Sequence, residues 1–289
     1  KINLSQKYYC ENGKYWVPNL KRKPVEDHEP HDTLSVKEIL AHSSNIGLVK
    51  ISYDTGSQDI YNMFKTFGFG QYPEIDSYRE ISGRLTALND WDKYSLVAIP
   101  IGQELRVTNL QIAMAYSAIA NGGYLLEPKI IIGDSSENGP NIIRKVANKN
   151  DIDLLIESLK MVVTDGTASS VMQDNLVCSY GKTGTAQVWV KAEQFTDTND
   201  NKKYDEGEEF VDANNNEKWD KAEYSSSNFI SSYAGVFPCD KPELVCVISF
   251  INPDESKKWA SQSAVPAFNE ILSRIANEDR DLSIEVAYE

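Results

Sequence analysis

The chain has 289 residues, 41% of them hydrophobic, enough for a sizeable core in one large domain or two small ones. A formal charge of -14 argues against nucleic acid as a partner, and no apolar run approaches the length of a membrane span. Four cysteines without C-x-x-C spacing, together with three histidines, make a zinc site an unlikely expectation; a Cys239–Cys246 bridge across a hairpin is possible, but free thiols are the expected state.

Residues 1–32 read as irregular and polar, with aromatics at Tyr8, Tyr9, Tyr15 and Trp16. Ser35-Val36-Lys37-Glu38 is a capping box, in which the hydroxyl takes an orphan N–H of the first turn and the glutamate reaches back. Val36, Ile39 and Leu40 then give a helical apolar face that ends near His42-Ser43-Ser44-Asn45. Ile46–Tyr53 is apolar again. Residues 56–70 predict another helix, with Ile60, Met63, Phe64 and Phe67 on one side and Gly68 and Gly70 closing it.

After a mixed loop over 71–106, Thr108-Asn109-Leu110-Gln111 is a second capping box. It opens a helix through Ile112, Ala115, Tyr116 and Ile119, which Gly122-Gly123 stops. Residues 151–163 predict a third amphipathic helix. Strands follow around Lys182, at Ser232–Phe237 and at Leu244–Ile251, with Asp240-Lys241-Pro242-Glu243 turning between the last two. A helix over about 264–277 closes the chain. Helices first and an antiparallel meander later indicate an α+β fold, mainly helical over 31–170 and sheet plus closing helix over 171–289.

Gly181-Lys182-Thr183-Gly184-Thr185-Ala186-Gln187 concentrates one cation, two hydroxyls and two glycines on a predicted strand. Lys182 can attract an anion, Thr183 and Thr185 can donate hydrogen bonds to it, and Gly184 leaves room for another backbone. Ser43-Ser44-Asn45 lies just past a helix end. Alone it reads as a capping turn, but Ser-x-Asn and Lys-Thr-Gly together are two signatures of the penicillin-interacting serine enzymes.

On these motifs the sequence resembles the transpeptidase domain of a class B penicillin-binding protein, most like the septal cell-division type. Further matches carry the resemblance: Gly102-Gln103-Glu104, Thr108, Gln111, Ala113, Ala115-Tyr116, Ile119-Ala120-Asn121-Gly122-Gly123, Gly166-Thr167-Ala168, Pro253 and Ala264-Val265-Pro266-Ala267-Phe268. They run from about Cys10 to Ile275. The resemblance implies the penicillin-binding transpeptidase fold, an antiparallel sheet flanked by helices plus a helical subdomain. It also implies roles. Ser43 relays protons, Asn45 holds the substrate amide and the catalytic lysine, and Lys182 stabilises charge in the cleft. Thr183 and Thr185 grip the terminal carboxylate of a D-alanyl-D-alanine stem peptide or of a β-lactam, beside Gly184. The N–H of Thr185 serves as an oxyanion donor.

The same family acylates a serine in a Ser-x-x-Lys motif that opens a helix. One match occurs, Ser179-Tyr180-Gly181-Lys182, and it overlaps the lysine strand. The expectation is therefore that the nucleophile lies before Lys1, that the chain is a piece of a longer protein, and that it is inactive alone. The implied activity is peptidoglycan cross-linking through an acyl-enzyme on the extracytoplasmic side of a bacterial membrane, with divisome membrane proteins as partners. A D,D-carboxypeptidase, a serine β-lactamase and a non-catalytic sensor or scaffold are the alternatives.

An acidic insertion over 195–225 departs from the family. Asp197, Asn199, Asn201, Asp205 and Glu208 stand at positions 1, 3, 5, 9 and 12 of one loop, and Asp212, Asn214, Asn216, Asp220 and Glu223 repeat them fifteen residues later. That is the oxygen-ligand spacing of an EF-hand loop, and it predicts Ca²⁺. Position 6 carries Lys202 or Glu217 in place of glycine, and flanking helices are not evident. The expected site lies beside the mouth of the cleft.

Overall fold

The starts of three helices in this chain are set by side-chain caps. The computed structural model describes residues 3–20, 23–73, 75, 81–130, 139–172 and 177–278. Helix α1 (Val36–His42) begins on the Ser35–Glu38 capping box with both reciprocal bonds made. Helix α2 (Asn45–Thr55) begins on Ser44, whose hydroxyl accepts from Gly47 N–H. Helix α3 (Ser57–Thr66) is shorter than the pattern over 56–70, because Gly68 at φ +90° turns the chain out. Helix α4 (Asn109–Ala120) uses the Thr108–Gln111 capping box. Helices α5 (Lys149–Thr164) and α6 (Ala264–Glu278) complete the set of long helices among the described residues.

Three antiparallel strands hold the site: β1 (Tyr180–Val190), β2 (Glu223–Phe237) and β3 (Leu244–Ile251), in the order β3-β2-β1. Side chains alternate across β2, so Tyr233 and Phe237 face α6 while Val236 faces α4 and α5. On the α6 side, the wholly buried Phe268 sits edge-on to Tyr233 and Phe237, with ring centroids 4.8 and 5.7 Å away. Gly235 is required there: a Cβ would stand 2.5 Å from the Phe268 ring. On the other side, Ile119, Ile152 and Leu159 pack around Tyr180. This is the α+β arrangement that the order of elements predicts.

Three expectations are corrected. Residues 1–32 are not wholly irregular: Lys7–Tyr9 pairs with Thr33–Ser35, and Lys14–Tyr15 with Val25–Glu26. Ribbons of two or three residues are too short to show a period. The cysteines pair differently as well. Cys178 is bridged to Cys239 with Cα atoms 5.3 Å apart, and Cys10 and Cys246 are free. Cys246 lies on β3 opposite Gly235, whereas Cys239 has turned off the end of β2 to donate its N–H to Cys178 O at 3.0 Å. Finally, Glu223 does not join the second acidic loop. It is drawn into β2, pairs with Val190 and meets Lys221 at 3.5 Å.

Candidate active site

The turn at Ser43 is the first component. Ser43 is the C-cap of α1 and adopts φ 57°, ψ 41°, a left-handed conformation that ends one helix and aims the next. Its side chain is half-buried and makes no hydrogen bond to another described residue. Ser44 is buried and committed to structure, accepting from Gly47 N–H at 3.0 Å and donating to Asp27 Oδ2 at 2.6 Å. Asn45 opens α2, and its amide Nδ2 donates to Glu26 O at 2.9 Å. One face of this amide is therefore fixed to the neighbouring ribbon.

Lys182 lies on β1, which is an edge strand among the described residues. Its ammonium donates to Thr183 O at 3.2 Å and Thr183 Oγ1 at 3.3 Å. Loss of hydration pulls its pKa down to about 8, and among the described residues no carboxylate pairs with it. The lysine is thus a cation short of a partner. Thr185 presents a second polar group: its Oγ1 accepts from Ala260 N–H at 3.2 Å, which leaves the hydroxyl proton for another acceptor. An edge strand also turns alternate N–H and C=O groups outward, where an extended peptide can pair.

The structure joins these two components through a residue that motif spacing does not single out. Thr167 Oγ1 lies 2.6 Å from Thr183 Oγ1, and Thr167 N–H donates to Ala41 O, two residues before Ser43, at 3.1 Å. Gly166 permits this, since a Cβ there would overlap Ala41 O. Among the described residues no hydrogen bond runs directly from Lys182 to Ser43 or Asn45. A Cβ at Gly184 would meet only the hydroxyl of its cross-strand partner Ser232, at 2.9 Å. Ser179 is buried, immediately precedes β1, and its Oγ has no partner, so the Ser179–Lys182 spacing does not open a helix.

A family model described as the penicillin binding protein transpeptidase domain matches residues 1–273. The chain belongs to the penicillin-binding protein transpeptidase family. Relatives of the class B type span most of its length. PbpB of Mycolicibacterium smegmatis is 26% identical over 249 residues, covering 81% of this chain and 34% of that protein. Stage V sporulation protein D of Bacillus subtilis is 25% identical over 280 residues, covering 94% and 38%. This transpeptidase-family chain therefore spans about a third of the length of those relatives. The solved transpeptidase domain of penicillin-binding protein 3 from Burkholderia pseudomallei shares the fold, with a TM-score of 0.75, 22% identity, and coverage of 97% of this chain and 75% of that one.

Within the penicillin-binding fold, the acidic insertion joins β1 to β2. From Lys182 to Val190 the strand rises roughly 26 Å at about 3.3 Å per residue, so the insertion leaves β1 at the end remote from the lysine. Its two halves are nearly superimposable in bonding. Asp197 accepts from Asn201 and Lys202 N–H, and Asp212 accepts from Asn216 and Glu217 N–H. Asn199 and Asn201 both donate to Asp205 Oδ2 at 2.7 Å; Asn214 and Asn216 both donate to Asp220 Oδ2 at 2.6 and 2.8 Å.

The second loop takes its glutamate from outside itself. Glu208 accepts from Thr198 and Asp205 N–H in the first loop, and Glu193 accepts from Ala213 and Asp220 N–H in the second. Glu193, Phe195 and Tyr204 recur fifteen residues on as Glu208, Phe210 and Trp219. Phe195 pairs with Phe210, and Tyr204 stacks on Trp219 at 4.7 Å and 13°. The repeat folds back on itself about that aromatic centre. Glu193 rather than Glu223 serves the second loop, because a loop closing on itself brings the residue before the first repeat beside the second.

Proposed function

We propose that this domain performs the acyl-transfer chemistry of a serine D,D-transpeptidase, taking the D-alanyl-D-alanine end of a peptidoglycan stem peptide and, in its place, β-lactams. One observation carries the reading: a lysine without a carboxylate partner among the described residues and a threonine hydroxyl with its proton unassigned share a half-buried strand edge, joined through Thr167 to the turn bearing Ser43. The strand edge takes the extended peptide. Lys182 and Thr185 take its terminal carboxylate, with Thr183 held in place by Thr167. Ser43, with no described hydrogen-bond partner, is free to pass a proton between the acyl centre and the departing amine. Asn45 fixes the substrate amide through the part of its side chain that Glu26 does not engage. A relative from Neisseria gonorrhoeae, 22% identical over 256 residues, is named a probable peptidoglycan D,D-transpeptidase, and the penicillin-binding protein 3 of Mycobacterium tuberculosis has been solved with aztreonam and with ampicillin.

The Cys178–Cys239 bridge supports an oxidising, extracytoplasmic location, since such bonds do not persist in a reducing cytosol. A septal role with divisome membrane proteins as partners belongs to the same reading. Labelling the full-length protein with a fluorescent penicillin tests it. Wild type labels covalently, and Lys182→Ala and Thr185→Val label at least about a hundredfold more slowly, the usual scale for losing a preorganised charge or oxyanion donor. Wild type that never labels points to a non-catalytic scaffold. Rapid loss of the label points to a carboxypeptidase or β-lactamase.

We also propose that each acidic loop takes a Ca²⁺ ion. Asp197, Asn199, Asn201, Asp205 and Glu208 would hold one, and Asp212, Asn214, Asn216, Asp220 and Glu193 the other. The in-register repeat of these oxygen-bearing residues favours the ion over a merely solvated acidic loop. Two asparagine side chains converge on Asp205 and two on Asp220, so each carboxylate already stands against other candidate ligands of its loop. Calorimetry with Ca²⁺ checks this: two sites are expected, with Glu193→Gln and Glu208→Gln each weakening one. Absence of heat, or a stronger effect from Glu223→Gln than from Glu193→Gln, overturns the assignment.

A further inference from the structure

The chain's histidines number three, and two of them converge. His31 lies in the segment after Glu29-Pro30, and His42 is the last residue of α1. Their rings stand 4.9 Å apart, tilted by 34°. The Glu29 carboxylate completes the group, with one ligand atom from each of the three residues all lying within 4.8 Å of one another. Ten residues, a ribbon strand among them, lie between the two histidines in sequence, and spacing does not single them out.

Two features make this more than proximity. The first is orientation. His31 Nδ1 lies 2.9 Å from Glu29 O, so donation of its N–H to that carbonyl leaves Nε2 as the lone-pair nitrogen. The second is a prebuilt frame. Asp27 is fixed by Ile46 N–H at 3.0 Å and by Ser44 Oγ at 2.6 Å, and at the other end Asp32 O accepts from Cys10 N–H. Between them Pro30 packs directly over Gly13, where a Cβ would come within 2.9 Å of the proline Cα. The segment carrying Glu29 and His31 is therefore held at both ends and in the middle, against the helix that carries His42.

We propose that Glu29, His31 and His42 form a site for a first-row divalent transition metal, Zn²⁺ foremost, with a fourth position left to water. Two imidazoles and one carboxylate suit zinc, with bonds of about 2.0–2.2 Å. Tetrahedral ligand atoms stand roughly 3.3 Å apart at that bond length, so ligand atoms within 4.8 Å of one another need to draw in by about 1.5 Å at most. A bound ion ties the 27–32 segment to the end of α1, immediately before Ser43. His28 is outside the set, its ring resting on Trp259 at 4.3 Å. The site differs from the acidic insertion in ligand type and in place, and it does not depend on the transpeptidase reading.

The experiment titrates the metal-free full chain with Co²⁺ and then Zn²⁺, in the presence of excess Ca²⁺ to occupy oxygen-only sites. The expected result is one equivalent of Co²⁺ with the visible absorption of four-coordinate cobalt, bleached by Zn²⁺. Hydrogen exchange of residues 27–32 slows when Zn²⁺ is added. His31→Ala and His42→Ala each weaken uptake at least about a hundredfold, the upper end of what even outer-sphere changes cost, while His28→Ala leaves it intact. No cobalt absorption from the wild-type chain overturns the site, whatever the variants do. Uptake that survives the His31→Ala/His42→Ala double change, or that vanishes with His28→Ala, overturns it equally.

Discussion

Thr167 bonds in two directions, its hydroxyl lying 2.6 Å from that of Thr183 and its N–H reaching Ala41 O at 3.1 Å. The helix end that sets Ser43 and the strand that carries Lys182 are thereby held in one frame. Thr167→Val keeps the shape and removes the hydroxyl bond. Stability should fall by about 1 kcal/mol, the net worth of an ordinary hydrogen bond. Penicillin acylation of the full-length protein should slow more than that implies, by roughly 10- to 100-fold, because small misplacements of a catalytic frame are costly. Stopped-flow acylation beside urea denaturation separates the two. Unchanged acylation removes Thr167 from the frame.

Lys182 gives opposite pH trends for activity and stability. Its pKa of about 8 means that the ammonium is present below that pH and lost above it. Capture of a substrate carboxylate should therefore weaken as pH rises through about 8. Lys182→Arg should move that falling limb out of range, since a guanidinium stays charged. In the unfolded chain the lysine keeps its ordinary pKa of 10.5, so between about 8 and 10.5 the unfolded state binds more protons. This group's contribution to stability therefore increases with pH over the same window. Acylation rates and denaturation midpoints from pH 6.5 to 10 check both signs.

The Cys178–Cys239 bridge spans 61 residues, including β1, the acidic insertion and the whole of β2. Closing so long an excursion restricts the unfolded chain, and its loss should cost about 2–4 kcal/mol. Denaturant midpoints of Cys178→Ser/Cys239→Ser against wild type measure this. Cys246→Ser serves as the control and should leave the midpoint nearly unchanged.

Phe268 is the anchor of the α6 face, wholly buried against Tyr233, Phe237 and Gly235. Phe268→Ala should destabilise by about 3–5 kcal/mol, the range for emptying a large aromatic site in a core. Equilibrium unfolding followed by circular dichroism checks it. A loss under about 1 kcal/mol would mean that α6 does not hold the sheet.

Much of the fold was legible because its signals are local. The capping boxes at Ser35–Glu38 and Thr108–Gln111 concern four residues each, and both form as read. The strands at Lys182, Ser232–Phe237 and Leu244–Ile251 also appear, although β2 starts earlier, at Glu223. What stayed hidden involved partners distant in the chain. Asn45 donates its amide N–H to Glu26 O, and Thr185 Oγ1 accepts from Ala260 N–H. Thr167 lay within a quoted match, Gly166-Thr167-Ala168, yet nothing in three residues says that its hydroxyl meets Thr183.

The amino-acid order by itself determined the family motifs, the helix starts and the fifteen-residue repeat of acids and amides. Those depend on neighbours within about one turn or one loop, whose geometry is fixed by backbone stereochemistry. Only the tertiary structure decided that Cys178 rather than Cys246 meets Cys239, that Glu193 replaces Glu223 in the second loop, and that His31 comes to His42. Each of these is a meeting of residues brought together by packing, and packing is settled by the sum of many buried contacts, not by any one stretch of sequence.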